Sequence, residues 1–288
     1  MSFKVAYTQN QGRHAQQDCL WNGKRVFQKI DVPAAEILVE DPILHAAVCD
    51  GISMSPYAEK ASKKVITFLS EELGKGRNFD NRLLRQIHGS LCDALASRAN
   101  TFGSATTLAA VQCKDDQCTV MNVGDSRVYK ISENGQWEQL SQDHTLINAM
   151  IARGEAKPGI QYARMYDALD SCLVADHEEA DFAIHRRQAP FLPGDSLLVC
   201  TDGVHDVLGD EKLQSLYREG SGLCSQVDIW RKAILSAGAP ATPASSGVRP
   251  SGRCLPARAP REPLPPRSAS RKSPKPWPRS QRRPPLSP

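Results

Sequence analysis

His45-Ala46-Ala47-Val48-Cys49-Asp50-Gly51 and Leu197-Leu198-Val199-Cys200-Thr201-Asp202-Gly203 are two short apolar runs that end on the same dipeptide. Each reads as a buried strand with a carboxylate at its end, followed by a glycine that lets the backbone turn and come close to a ligand. Two aspartates brought together in this way repel each other. A divalent cation relieves that repulsion, and an all-oxygen donor set favours a hard one, Mg²⁺ or Mn²⁺.

Around these runs the sequence alternates helices with antiparallel hairpins. Phe3 to Thr8 reads as a strand, Gln9 to Gln17 as a polar loop, and Ile37 to Cys49 as a strand interrupted at Asp41-Pro42. Ser55 to Leu73 has helical spacing, with Ser53 or Ser55 as its cap and Pro56 at its first position. A second helix is predicted over Asn81 to Asn100. Strands follow at 106–112, 118–123, 127–132 and 137–140, a helix at 145–153, an irregular stretch at 155–180, and strands at 183–185 and 196–201. Helices close the pattern at 210–219 and 226–237, and the whole is an α+β arrangement.

Composition divides the chain near residue 240. From Ala241 onward lie 13 of the 20 prolines and 11 of the 36 Lys and Arg residues, with a single acid, Glu262. Residues 1–240 hold 25 basic and 31 acidic side chains, a net charge of −6, while the remainder carries +10. We therefore expect a folded domain over 1–240 and a disordered basic tail over 241–288, whose composition cannot offset the entropy of ordering. The acidic body argues against a nucleic-acid-binding domain, and Trp277 is the tail's only aromatic for stacking on bases. The nine cysteines show no CxxC pair and no zinc spacing, and Cys49 and Cys200 read as small core residues. No signal-like or membrane-length apolar run occurs, so the sequence reads as cytoplasmic, with no membrane partner, and as a monomer.

Two further acidic turns lie near strand ends. Gly124-Asp125-Ser126-Arg127 follows Val120 to Val123, and Gly12-Arg13 precedes Gln17-Asp18. Four carboxylates, Asp18, Asp50, Asp125 and Asp202, together with Arg13, suit hydrolysis by a metal-activated water, with the guanidinium gripping a phosphate bidentately. Asp125 has a bland alternative, an Asx-turn or a pair with Arg127, and Asp143-His144 reads as a structural turn.

In motif order the chain resembles the PPM family, the type 2C metal-dependent serine/threonine phosphatases, and in particular its compact bacterial members. The resemblance rests on Gly12-Arg13 with Gln17-Asp18, Asp50-Gly51, Gly103-Ser104-Ala105-Thr106-Thr107, Gly124-Asp125-Ser126-Arg127, Gln142-Asp143-His144, and Pro193-Gly194-Asp195 leading to Thr201-Asp202-Gly203. It covers roughly residues 3–240. It implies a four-layer sandwich, two antiparallel sheets face to face with helices outside and metals at one end. It implies hydrolysis of phosphoserine and phosphothreonine on proteins, without a phospho-enzyme, opposing a serine/threonine kinase. By resemblance Asp50 bridges two Mn²⁺ or Mg²⁺ ions, the Gly51 carbonyl and Asp202 are further ligands, Asp125 helps hold a third, weaker ion, Arg13 clamps phosphate, and Asp18 acts near the metals.

Three departures stand out. Gln17 occupies a position where the family often has glutamate, and Ile52-Ser53 follows Asp50-Gly51 where a histidine or methionine is common. The family closes its site with Asp-Asn and a short strand; here Gly238-Ala239-Pro240 leads into Ala241-Thr242 and the basic stretch, which reads as a truncated or frame-shifted end. The alternative reading is a catalytically degenerate phosphatase fold that binds or regulates.

Overall fold

The computed structural model describes residues 2–11, 15–160 and 162–237, apart from the side chain of Arg164. All of them fall in the first of two units, residues 1–255. Its strands are β1 (Phe3–Asn10), β2 (Cys19–Trp21), β3 (Val26–Phe27), β4 (Asp31–Val39), β5 (Ile43–Cys49), β6 (Ala105–Thr106), β7 (Leu108–Lys114), β8 (Gln117–Val123), β9 (Arg127–Ile131), β10 (Trp137–Gln139), β11 (Leu173–Val174), β12 (His185–Pro190) and β13 (Ser196–Cys200). Its α-helices are α1 (Ala58–Gly74), α2 (Asn81–Leu95), α3 (Leu146–Ala152), α4 (Asp202–Leu208), α5 (Asp210–Ser215) and α6 (Leu223–Ala237).

One antiparallel sheet has the order β12-β8-β7-β5-β2-β3. Its side chains alternate between two cores. Ala47, Cys49, Leu108, Ala110, Met121 and Val123 pack with Val65, Ile66, Leu69, Leu84, Ile87 and Leu91 of α1 and α2. Leu44, Val48, Ala109, Val111 and Val120 face the other way, toward Phe3 of β1, Val39 of β4 and Val128 of β9. Strands buried on both faces must be apolar at every position, which is why the run ending at Asp50 shows no hydrophobic alternation.

The second layer is in two pieces, β10-β9-β13 and β1-β4. Its outer face packs Tyr129, Ile131 and Cys200 against Val204, Leu213, Trp230 and Ile234 of α4, α5 and α6. The order is therefore helices, sheet, divided sheet, helices, the expected four-layer α+β sandwich. No strand among the described residues pairs with the remaining edge of β1 or of β13.

Several elements differ from the expected ones. α1 begins at Ala58 with Tyr57 as an N-cap that makes no side-chain cap bond, so neither Ser53 nor Ser55 caps it. Those hydroxyls are engaged elsewhere: Ser55 Oγ accepts from Ala105 N–H at 3.0 Å, and Ser53 Oγ donates to Gln17 Oε1 at 2.6 Å. α2 ends at Leu95, not Asn100, because Thr101 Oγ1 bonds the Leu95 carbonyl at 2.6 Å and folds the chain back. β12 extends to Pro190 through its pairing with β8. Residues 238–288, which include the whole of the expected tail at 241–288, and Arg13 lie outside the described residues.

Candidate metal centre

Asp50 directly follows β5, a central strand of the first sheet. Its backbone is clamped by the Ser104–Thr107 segment: Asp50 N–H donates to Thr107 Oγ1 at 3.0 Å, and its carbonyl accepts from Thr107 N–H at 2.8 Å and Thr106 Oγ1 at 2.7 Å. Thr107 Oγ1 also meets Ser126 Oγ at 2.7 Å, which ties this segment to the Gly124–Asp125 turn. That turn has little freedom. Gly124 sits at φ +94°, where a Cβ would lie 2.6 Å from Thr107 Cγ2, and its N–H donates to His144 Nδ1 at 3.0 Å. The Gln142-Asp143-His144 motif is thus structural, as expected.

Gly51 was expected to free the backbone for a ligand. The structure gives a different reason for glycine: a Cβ here would lie 2.7 Å from both the Ala58 and Gln17 carbonyl oxygens. The start of α1 and the Gln17–Asp18 loop close over it, and Ser62 Oγ donates to the Gln17 carbonyl. Gly51→Ala must push apart two backbones that carry site residues. It is expected to cost at least ~1–3 kcal/mol, read as a lowered denaturant midpoint.

Asp202 is delivered by β13 but does not sit in a turn. It is the first residue of α4, with Thr201 as N-cap. The two Asp-Gly dipeptides are therefore not equivalent: Gly51 makes an isolated bridge with Thr106, whereas Gly203 belongs to a helix. Thr201 Oγ1 donates to Asp18 Oδ2 at 3.2 Å, and Gln9 Nε2 holds the Asp18 carbonyl at 3.1 Å.

These segments bring the four aspartates together. The Asp50 carboxyl interacts with Asp18 and with Asp202, and Asp125 repels both Asp50 and Asp202. Asp18 and Asp202 are buried, at 2% and 4% exposure, while Asp50 and Asp125 keep part of their surface in solvent. Burial pushes the Asp18, Asp50 and Asp202 carboxyls well above the usual carboxylate range. Repulsion adds to it: Asp202 acts on Asp18, Asp18 on Asp50, and Asp50 and Asp125 on Asp202. Asp125 is pushed up to about 6, by burial and then by the charge of Asp143.

Asp125 does not pair with Arg127. The guanidinium instead takes Asp143 through Nε and Nη2, at 2.9 and 2.6 Å to Oδ2, and reaches Tyr129 OH at 3.0 Å and Asp210 at 3.2 Å. Burial alone would ease its proton off, but the Asp143 carboxylate reverses this and holds the guanidinium above its usual range.

One more acid belongs here that the sequence reading passed over. Asp206, one turn along α4, adds its charge to both Asp125 and Asp202. The i, i+4 spacing from Asp202 would have shown it, had the segment been read as helical.

The donor chemistry fits a hard divalent cation. Asp18 Oδ1 and Asp202 Oδ1 are buried without a hydrogen-bond partner among the described residues, and the four converging side chains offer only oxygen, although the His205 ring stands beside them with Nε2 3.1 Å from the Asp125 carbonyl. The fit is chemical and not preformed: among the described residues, no three His, Cys, Asp or Glu side chains stand ready around one point. With their protons on, the carboxyls bond one another; a cation would replace those protons.

The comparisons agree with this geometry. The Protein phosphatase 2C family model matches residues 31–234. Serine/threonine phosphatase stp of Listeria innocua is 24% identical over 151 residues, covering 52% of this chain and 58% of the relative. Serine/threonine protein phosphatase PstP of Mycobacterium tuberculosis is 24% identical over 173 residues, covering 58% and 33%. The chain thus spans about half the length, or less, of these curated relatives. Among solved structures, serine/threonine phosphatase Stp1 from Staphylococcus aureus superposes with a TM-score of 0.64 at 18% identity, over 82% of this chain and 90% of that one. The catalytic domain of PstP in complex with 2 manganese ions gives a TM-score of 0.60 at 19% identity, over 84% and 94%. Among the described residues no helix is long and apolar enough to cross a membrane. A family match over more than two-thirds of the chain, on a sandwich that gathers its strand-end aspartates at one edge, settles the kinship: this chain belongs to the protein phosphatase 2C family, in its bacterial-like PPM form.

Proposed function

We propose that residues 1–240 form a domain that hydrolyses phosphoserine and phosphothreonine on proteins, using two divalent cations, Mn²⁺ or Mg²⁺, with a third and weaker one at Asp125. The observation that carries this reading is the convergence of Asp18, Asp50, Asp125 and Asp202 from four distant segments, with buried oxygens lacking partners. The named activities of the relatives, serine/threonine phosphatases, support the same reaction class.

In this reading Asp50 and Asp202 are the main cation ligands, with the Gly51 carbonyl and Asp18 beside them. When bound, the cations supply Lewis acidity and a water of lowered pKa. The chain's own residues do the rest. The Thr106 and Thr107 bonds fix Asp50, Thr201 aims Asp18, and Asp50 and Asp125 keep the mouth of the site open to a bulky phosphoprotein. Arg13 is proposed to grip the phosphate. Arg13→Ala is then expected to raise KM for a phosphothreonine peptide by about tenfold or more, with little change in kcat or in Mn²⁺ affinity. Lost Mn²⁺ affinity would instead make Arg13 an organiser of the acidic loop.

A second reading, a phosphatase fold that binds partners but turns over poorly, is favoured by the divided second sheet. The discriminating experiment is hydrolysis of a phosphothreonine peptide by the full chain with Mn²⁺ and with chelator, beside Asp50→Asn. Hydrolysis that needs Mn²⁺ and vanishes in the variant supports the enzyme; no hydrolysis despite measurable Mn²⁺ binding supports the binding module.

A further inference from the structure

α4 carries a buried side chain that the proposed ligand set does not use. His205 follows Asp202 at i+3 and Asp206 at i+4, so the three share a face of the helix. His205 is 4% exposed, and buried polar atoms need partners. Nε2 has one, the Asp125 carbonyl oxygen at 3.1 Å. A carbonyl only accepts, so Nε2 carries the hydrogen and donates. Nδ1 lies 3.2 Å from Asp206 Oδ1 but makes no hydrogen bond among the described residues.

The Nε2 bond joins two elements whose charges oppose each other. Asp125 sits in the turn between β8 and β9, and Asp125, Asp202 and Asp206 repel one another. Other bonds of the turn lead away from α4. Gly124 N–H donates to His144 Nδ1 at 3.0 Å. The Gly124 carbonyl accepts from His144 N–H at 3.0 Å and from Asn122 Nδ2 at 3.2 Å. Ser126 Oγ meets Thr107 Oγ1 at 2.7 Å. Those bonds fix the turn on the first sheet and on the 142–144 segment. The His205 bond fixes Asp125 on the helix that presents Asp202.

We propose that His205 is a positioning residue for the weaker cation: by holding the Asp125 carbonyl, it sets how far the Asp125 carboxylate stands from those of Asp202 and Asp206. The inference rests on the phosphatase reading, in which Asp125 helps hold that cation. Its ground is geometric. Ligands must be placed to within ~0.5 Å, and repelling carboxylates on separate elements move apart unless the elements are tied. A bond to a residue's own carbonyl acts next to the Cα that carries its side chain. Asp50 and Asp18 are held by other bonds, to Thr106, Thr107 and Thr201, so loss of the His205 bond is felt at Asp125 and not at the main pair of sites.

Two amide substitutions separate this bond from packing. In His205→Gln the amide nitrogen reaches the place of Nε2; in His205→Asn it reaches only that of Nδ1, beside Asp206. Mn²⁺ binding to the full chain is read from the EPR signal of free Mn²⁺, with no substrate present. The parent is expected to show a tight class of sites, lost in Asp50→Asn, and a weaker class. His205→Asn should loosen the weaker class at least ~10-fold and leave the tight class within about twofold, and His205→Gln should restore the parent's values. Equal behaviour of the two amides would overturn the proposal, as would parallel loss of both classes. An asparagine variant that fails to fold in chelator while the glutamine variant folds would make His205 a packing residue and overturn it too. A parent with the tight class alone removes the third cation and this proposal with it, while the phosphatase reading stands; a parent with neither class removes both.

Discussion

In chelator at pH 7.5, Asp50→Asn is expected to melt several degrees above the parent chain, and in millimolar Mn²⁺ the order is expected to reverse. Asp50 is pressed between Asp18 and Asp202, and burial with repulsion raises its pKa in the fold. A group whose folded pKa lies above its unfolded value binds more protons folded than unfolded. Its cost is absent below the unfolded value, near 4, and grows as pH climbs through the folded value. Each unit of that shift is worth about 1.4 kcal/mol, and asparagine keeps the shape without the charge. At roughly 2–4 °C per kcal/mol for a domain of this size, the gain is readable by thermal unfolding, and it should shrink toward pH 4. Comparing the two chains at each pH cancels the buried histidines His45, His88 and His144, whose lowered pKa values act in the opposite direction. A cation at 100 times its Kd stabilises the parent by about 2.7 kcal/mol, and the variant should lose most of this together with more than ~100-fold of any Mn²⁺-dependent hydrolysis. A variant that melts lower in chelator, or keeps its Mn²⁺ response, would remove Asp50 from the centre.

The second large effect is expected at Arg127, outside the ligand set. Its guanidinium is the bidentate partner of Asp143 and also holds Tyr129 OH and Asp210, and Tyr129 OH donates to Asp210 at 2.7 Å. Arg127→Met keeps the volume but strands Asp143, a nearly buried carboxylate left with Gln139 Nε2 at 3.0 Å. Removing one partner of such a pair costs about 3–5 kcal/mol, which is a Tm lower by roughly 10 °C. Asp143 already raises Asp125, and without its cation the repulsion should grow. The double variant Arg127→Met/Asp143→Leu should recover most of the stability, because the cost lies in the stranded charge and not in the missing pair. If it does not recover, the loss came from packing.

How much of this was legible in sequence follows from which interactions are local. The apolar runs before Asp50 and Asp202 announced buried strands; the cores on either side of β5 bear this out, whereas Ser196 to Val199 of β13 are only partly buried. β2, β3 and β11 escaped notice because two or three residues carry no periodicity; β2 and β11 exist through long-range partners, as Cys19 does opposite Cys49, and β3 only as the hairpin mate of β2. α4 escaped because Asp-Gly reads as a turn, and only the packing of Val204 against Trp230 and Ile234 commits that segment to helix. With α4 unread, Asp206 could not be placed near Asp125. Arg127 was read against its sequence neighbour Asp125, but its partner Asp143 lies across the β9–β10 hairpin. Gln17 and Ser53, two separate departures in sequence, turn out to bond each other at 2.6 Å, a pairing no one-dimensional reading contains.

The Thr201–Asp18 hydrogen bond spans 183 residues of sequence, and this has a consequence for the order in which the chain can fold. Strands β5, β7 and β8 with α1 and α2 come from residues 43–123 and form a unit of mostly short loops. Asp202 is expected to reach that unit once β13 has paired with β9, where Cys200 stands opposite Arg127. Closing so long a loop is among the last events of folding, since its entropy must be spent before the contact returns anything. Whatever clasps Asp18, Asp50 and Asp202 together is therefore expected to act after the rate-limiting barrier. It should leave refolding kinetics nearly untouched and lengthen the lifetime of the native state, so occupancy of this centre governs how long the molecule lasts and not how fast it forms.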